Sequence, residues 1–486
     1  MPGKYNARLS GGRIAEPEYK DIIDTQSLNL FAGCGGQLFS WKASLFGNNA
    51  GNHYLYKDDY GFARRKESNE VIDTGADASF VWNLPLNATL LSDTKFYYAH
   101  KNFPITMNSV GSALSTDMQI TENIMINAPV VFREGLATEA SLSYQKSDTH
   151  YGVDISSNDH YITGINRWTW YAHDKFTMRT GADWRFLYIN SESATETDPV
   201  KTGNNGGVYI TGECTPVTPL MIIASVKGVS DTKQAVAVPK FGISWKAHKT
   251  LTLKNNYFRC FKFPDFDDLY YRSLDNMFVG NPDLKPEDGW GADASLHWSP
   301  HDNFSLESAV YGTWTTDSIH WVKSAGGRWS PENVGTAYLG GFDIHPKLSI
   351  KLDNAPVTSA ALALNYQAQL SWLLFGGLTF QSSYRVPYIP SHIIGASLDL
   401  GWKTGSLIVQ AHYESTRYAD TTNLMILVPY CVLNATVNQN IGEHITFFMA
   451  ARNILNAHYE SFASYYMPGV SFTIGVRTAW TVSSGT

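Results

Sequence analysis

The feature that most constrains this chain is a strict two-residue alternation in segments that carry aromatics at their ends. In FTMRTGADWRFLY, Phe176, Met178, Ala182, Trp184, Phe186 and Tyr188 fall on one side of an extended chain, and Arg179, Asp183 and Arg185 on the other. Ionised groups cannot be buried dry without large cost, so their side must meet water while the opposite side needs an apolar surrounding. The pattern recurs. Leu136, Thr138, Ala140, Leu142 and Tyr144 oppose Glu139, Ser141 and Ser143, and Trp290, Ala292, Ala294, Leu296 and Trp298 oppose Asp293, Ser295 and His297. Near the C-terminus Val470, Phe472, Ile474, Val476 and Trp480 oppose Ser471, Thr473, Gly475 and Arg477. Tryptophan at both ends of an apolar row marks the two edges of a thin apolar band, because the indole is buried there while its N–H stays wet. A tilted strand of about 9–11 residues crosses such a band.

Composition narrows the class. Of 486 residues 43% are hydrophobic and 13% aromatic, yet no run of about 18 apolar residues exists, so helical membrane spans are excluded. A membrane barrel is not excluded, since its lipid face uses only alternate residues. No Pro-, Gly- or Ser-rich linker divides the chain, which favours one large architecture. A formal net charge of -7 without a concentrated basic face argues against nucleic acid. Cys34, Cys214, Cys260 and Cys431 are too far apart for zinc or redox spacing and read as incidental. The start, MPGKYNARLSGGRI, lacks the apolar core and cleavage site of a secretory signal, which leads to the expectation that something upstream is missing.

From about Ser27 the alternation begins, with two strands expected around a turn at Gly33, Gly35 and Gly36. A dinucleotide loop there lacks its third glycine and any following helical period. The charge run Lys57–Glu70 reads as a solvated loop. Its functional alternatives are an anionic ligand drawn to Arg64, Arg65 and Lys66, or a cation held by Asp58 and Asp59. Connections alternate in length: Lys246–Thr250 and Ser299–Asn303 are tight, whereas Phe261–Asp288 and Ser324–Ala337 are long. In the long stretch FKFPDFDDLYYRSLDNMFVGNPDLKPED, Pro264, Pro282 and Pro286 each remove a backbone donor and bias the preceding residue away from helix. An ordered loop with neither helix nor central strand is expected there, joining LTLKNNYF to WGADASLHW.

GNPDLKPED following FPDFDDLYY resembles the signature in the barrels of TonB-dependent outer-membrane receptors. Asn281, Pro282, Leu284, Lys285, Pro286 and Glu287 match it, while Lys262, Phe263 and Asp265 depart from the usual Arg, Ala and Ser or Thr. The resemblance continues through Asn333, Ala337 and Gly341, then Pro387, Pro390 and His392, then Tyr413, Arg417, Tyr418, Asp420 and Asn423. It closes with Asn453, Leu455, Tyr459, Pro468 and Gly469, with Val470 where arginine is usual.

The resemblance implies an all-β fold: a transmembrane antiparallel β-barrel of about 22 strands with short periplasmic turns and long extracellular loops. Residues 27–480 would form the barrel. Residues 1–26 remain unassigned or supply its first strand, and residues 481–486 form a tail after Trp480 that could weaken the terminal assembly signal. Members of the family import scarce chelates of the siderophore, haem or cobalamin class across the bacterial outer membrane. Such a chain works as a monomer with a plug domain and a TonB-type energy transducer as partners, and no plug is legible before Ser27. The alternative is a plugless passive pore or a non-transporting surface protein. Substrate contacts are expected in the extracellular loops at Asp58, Asp59, Arg64, Arg65, Phe263, Asp265, Tyr270 and Tyr271. Structural motif roles are expected for Asn281, Pro282, Leu284, Lys285, Pro286, Glu287, Asn453, Pro468, Gly469 and Trp480. No HExxH, GxSxG, GxxxxGK[ST] or Cys-x-x-Cys occurs, so no catalytic residue, metal site or cofactor is expected. Singly, Arg179, Asp183, Arg185, Asp293 and Arg477 read as a hydrated wall.

Overall fold

The computed structural model describes residues 3–14, 25–51, 54–57, 62–66, 70–104, 112–129, 136–151, 155–193, 200–273, 276–324, 326–353, 355–375 and 384–482. Most of them belong to one 22-stranded sheet in which the paired strands run antiparallel. Gly3–Ile14 pairs on one side with Thr25–Gly35 and on the other with the last strand, Ser471–Val482, from Gly3↔Val482 to Ile14↔Ser471. Gly3–Ile14 is a strand of this sheet. Thr481 and Val482, assigned from sequence to the tail, continue the last strand opposite Lys4 and Gly3.

Connections sort by length. Two-residue turns at Asp174–Lys175, Thr218–Pro219, Lys249–Thr250, Asp302–Asn303 and Lys403–Thr404 lie at one end of the sheet. The described connecting segments 263–273 and 276–286, 317–324 and 326–335, 384–391, 415–429 and 453–470 lie at the other, with the tight Asp231–Gln234 turn as an exception at that end. The loops carry structure of their own: Ile319–Lys323 pairs with Trp329–Asn333, Arg417–Tyr418 with Ile426–Leu427, and Glu460–Phe462 with Tyr465–Tyr466. The charge run expected as a plain loop contributes the hairpin Tyr54–Lys57 with Ala63–Lys66. The Gly33 of the expected glycine turn sits within a strand opposite Lys42, and the turn proper is residues 36–38.

The sheet is exposed on both faces. The chain presents 28613 Å² of accessible surface, against about 18,000 Å² for a compact monomer of its mass. One face carries large apolar side chains in the open, with Val208 64%, Val310 51% and Ile474 62% exposed. At the loop end of this face, Trp290, Trp314, Tyr338 and Trp372 stand opposite one another on four adjacent strands. At the turn end lie Phe39 with Phe80 and Trp82, Trp298 with Phe304, and His444 with Trp480. These two aromatic rows are the girdles of an interface-spanning apolar band. The other face is a polar ladder: Arg179 with Glu213, Lys227 with Asp183 at 2.7 Å, Asn256 with Asp293 at 2.8 Å, and Arg477 with Asn438. Alternation alone forces this division, because neighbouring residues of a strand point to opposite faces.

Candidate functional site

The 263–286 loop leaves the strand Leu251–Lys262 and, contrary to the expectation of a helix-free loop, forms a short helix, α1, at Phe266–Tyr270. Proline arguments exclude helix only at and just before each proline, and Pro264 precedes the cap rather than interrupting the turn. A reciprocal cap starts α1: the Asp265 carboxylate accepts from the backbone of Asp268, and the Asp268 carboxylate accepts from the Asp265 N–H. Leu269 N–H then donates to Asp265 O at 3.2 Å and Tyr271 N–H to Asp267 O at 3.0 Å. The other oxygen of Asp268 accepts from the Trp321 indole N–H at 3.2 Å, which ties α1 to the neighbouring loop.

The opposite side of α1 meets the sheet. Phe266 and Tyr270 pack together with ring centroids 4.8 Å apart, and the Lys201 ammonium lies 5.8 Å from the Tyr270 ring centre. A Cβ placed on Gly203 would stand 3.9 Å from the Phe266 ring. Burial, followed by repulsion from Asp268 and Asp265, holds the Asp267 carboxyl above the usual carboxylate range. Lys201 and Gly203 share a face with Tyr209 and Glu213, opposite the exposed Val208 and Ile210, so α1 rests on the polar face.

The signature residues build a clasp between this loop and the next. Asn281 donates its amide to Pro331 O at 3.1 Å and accepts from Asp283 N–H at 3.0 Å. Asn333 accepts from Lys285 N–H at 2.9 Å and donates back to Lys285 O at 2.9 Å and to Asp317 O at 2.7 Å. Glu287 accepts from Ile319 N–H at 2.7 Å. Leu284, Val279 and Val334 are buried, and Phe278 stacks on Trp329 at 6.1 Å beneath Trp321. Gly280 is required by close approach, since a Cβ would stand 2.7 Å from the backbone of Leu269 and Tyr270.

A second group of loops is knit around Arg417. Its buried guanidinium pairs with Glu414, donates to Glu460 O at 2.6 Å and Ser461 O at 3.0 Å, and lies 5.5 Å from the Tyr430 ring centre, which stacks on Tyr459. Asn423, in the left-handed region at φ 57, accepts from Arg385 N–H at 2.6 Å and donates to Arg385 O at 3.0 Å. Burial opposes ionisation of Asp420, but hydrogen bonds from Thr422, Met425 and Leu424 outweigh it and hold the carboxyl below its ordinary value. Tyr388 packs on Phe462, and Tyr56 stacks on Tyr466 at 4.7 Å. Asn453 is buried, donating to Ala457 O at 2.9 Å and Pro468 O at 3.0 Å, and a Cβ on Gly469 would collide with Asn456.

The expected ligand residues fall into two places. Phe263, edge-on to Phe261 at 5.0 Å, Asp265, paired with Lys262 at 2.7 Å, Tyr270, and Tyr271, edge-on to Trp321 at 6.3 Å, gather in the 263–286 loop. Arg64 and Arg65 lie on the Ala63–Lys66 arm, with Arg64 exposed and 6.0 Å from the Phe62 ring centre. Asp58 and Asp59 lie outside the described residues. Trp480 stands exposed on the apolar face, beside His444. Sequence reasoning missed Lys201, Gly203 and Trp321, which meet α1 from distant strands and loops. The only local signal among them is GNNGG at 203–207, a run of small residues that admits close approach. Among the described residues no group of three or more His, Cys, Asp or Glu is placed to hold a metal ion, and the four cysteines are unpaired.

Residues 19–454 match the family described as TonB dependent receptor-like, beta-barrel. The chain belongs to this family. Its place is therefore the bacterial outer membrane, and its relatives are receptors and transporters. The vitamin B12 transporter BtuB of Vibrio vulnificus (strain YJ016) is 33% identical over 85 residues, 17% of this chain and 13% of that protein, so the match spans a small part of the relative's length. A mutant of the ferric enterobactin receptor PfeA from Pseudomonas aeruginosa, in complex with enterobactin, superposes with TM-score 0.78 at 12% identity, over 98% of this chain and 81% of that one. The FrpB iron transporter from Neisseria meningitidis gives 0.76 at 10%, over 99% and 82%. The copper transporter OprC gives 0.76 at 13%, over 98% and 80%. At these identities the superpositions speak for the fold of the TonB-dependent receptor barrel.

Proposed function

We propose that the chain forms the closed transmembrane wall of an outer-membrane receptor that takes up a scarce metal chelate of the siderophore, haem or cobalamin class. Import is energy-coupled when a plug domain occupies the wall and engages a TonB-type transducer. The observation that carries this reading is the pairing of the first strand with the last, joined to a division of faces in which one side is apolar with two aromatic girdles and the other a hydrated ladder. Every described strand of the large sheet then has two neighbours, which removes the edges that lipid cannot satisfy. A ring of about 22 strands has a lumen too wide for its own side chains to fill. The named relatives, a vitamin B12 transporter, a ferric enterobactin receptor and a copper transporter, suggest the ligand class.

The substrate contacts assigned from sequence at Phe263, Asp265, Tyr270 and Tyr271 suit this role, since they gather at the loop end beside the polar face. Arg64 and Arg65 stand apart from them, on another loop. The second reading, a passive pore, is favoured by the hydrated ladder itself. These 486 residues, refolded into planar bilayers, distinguish the two. Current that a matching plug domain suppresses supports the receptor, whereas current indifferent to that domain supports the passive pore. Absence of any current from a correctly folded chain and from its loop variants would remove both.

A further inference from the structure

We propose that the segment Phe263–Tyr271 is a fixed strap across the polar face that narrows the lumen, so that passage is size-limited by the chain itself; this rests on the barrel reading above. Three features place the strap. The strand bearing Lys201 and Gly203 is three positions along the sheet from the strand that ends at Lys262, a span of about 14 Å at the usual strand spacing. Phe266 follows Lys262 by four residues, a reach of about 14 Å when extended, so the segment must run taut to bring Phe266 beside Gly203. The wall groups it meets, Lys201 and Gly203, belong to the polar face.

The second feature is that the contact is built from both sides. On the wall, Gly203 leaves room for a ring, and on the strap Phe266, packed with Tyr270, lies against it. The third is anchorage: the reciprocal Asp265–Asp268 cap and the Asp268–Trp321 bond hold α1 in one orientation from the loop side. A ligand passing this level would have to move α1 or fit beside it. The strap therefore sets the size of what passes, whichever partner occupies the rest of the lumen.

The test is a lockable variant of the full chain. Cys34, Cys214, Cys260 and Cys431 are replaced by serine, and Gly203→Cys is combined with Phe266→Cys. Gly203 accepts a Cβ at ordinary distance, its nearest neighbour being Leu187 at 3.6 Å. Single-channel conductance is read without any plug domain, with folding checked by heat-modifiable mobility and cross-linking by mass. The oxidised form should conduct like the parent, and adding reductant should raise conductance severalfold and reversibly. Phe266→Ala with Tyr270→Ala, which needs no cross-link, should conduct like the reduced form. A cross-link that forms without altering conductance, failure of the two thiols to join in folded protein, or an unchanged alanine variant would each overturn the strap. No current from any variant would instead overturn the barrel reading.

Discussion

The wall and the loop modules of this molecule are stabilised in opposite ways. Along the wall strands, large apolar side chains remain exposed, as at Val208, Ile210, Val310 and Ile474, and only a few residues such as Ala99, Val432 and Phe448 are buried. In the loops, where polarity and turns would suggest little packing, Val279, Leu284, Val334, Leu427, Arg417 and Asn453 are buried. The wall depends on its ladder of backbone hydrogen bonds and on lipid for its apolar face. The loops depend on small cores of their own, closed by side chains that satisfy backbone groups. Asn333 is the clearest case, because one amide serves a donor and two acceptors on two other segments. A substitution in the wall should therefore be felt through lipid depth, and one in the loops through lost hydrogen bonds.

The largest effect is expected from arginine on the apolar face. Ala294 lies at the middle of Glu287–His301, opposite the exposed Val310, so Ala294→Arg should impair insertion by about 2–4 kcal/mol. Ser295→Arg, one residue on and turned to the polar face, should be tolerated. Urea titration of the refolded variants by heat-modifiable mobility separates them, and equal effects would erase the distinction between the faces.

Asn333→Ala should cost about 0.5–1.5 kcal/mol for each hydrogen bond lost within the loop module, since it removes the bonds to Lys285 and Asp317. It should leave the wall's unfolding midpoint unchanged. Limited proteolysis should cut the variant within 263–286 or 317–335 at low protease, while the parent resists. Loss of wall stability in parallel would show that the two regions are one cooperative unit.

This division explains what was legible in the sequence. A period of two is a local property, so the faces of Phe176–Ser193 and Glu287–His301 could be read from their own residues. Gly3–Ile14 is harder to assign, because GKYNARLSGGRI has a short, glycine-interrupted alternation and its strand pairing is with residues distant in sequence. The loop helix is hard to read although Asp265 and Asp268 spell a capping box, because Pro264, Pro282 and Pro286 flank a helix of only five residues. The motif residues Asn281 and Glu287 were recognised by resemblance, but their partners Pro331 and Ile319 lie in another loop, and no spacing rule connects them. The candidate ligand residues divided for the same reason: Tyr270 and Tyr271 share a loop with Phe263, whereas Arg64 belongs to a hairpin that packs elsewhere, through Tyr56 on Tyr466.

The smallest effect expected is one of pH, and it also falls on the loops alone. His320 lies on the Ile319–Lys323 arm, with its ring Nε2 3.1 Å from Ser318 Oγ. Burial lowers its pKa below the ordinary 6.5, and the nearby Glu287 carboxylate only partly offsets this. The folded module therefore binds a proton less readily than the unfolded chain does. Its contribution is fully present above the unfolded value, near 6.5, and is lost as pH falls through that value and on through the depressed folded one. Asp267, across the Trp321–Asp268 bond, works in the other direction: its pKa is raised, so its contribution grows as pH falls through the folded value. The ordinary Asp value of 3.8 lies well below that of histidine, which places the Asp267 window at the acid end. Between pH 7.5 and 5.5 the histidine should dominate, and proteolysis within 317–335 should accelerate on acidification while the wall's unfolding stays flat. His320→Gln, which keeps a polar side chain but does not titrate, should abolish the acceleration. If the variant responds to pH as the parent does, the acid sensitivity lies in another group and the loop module is not tuned by this histidine.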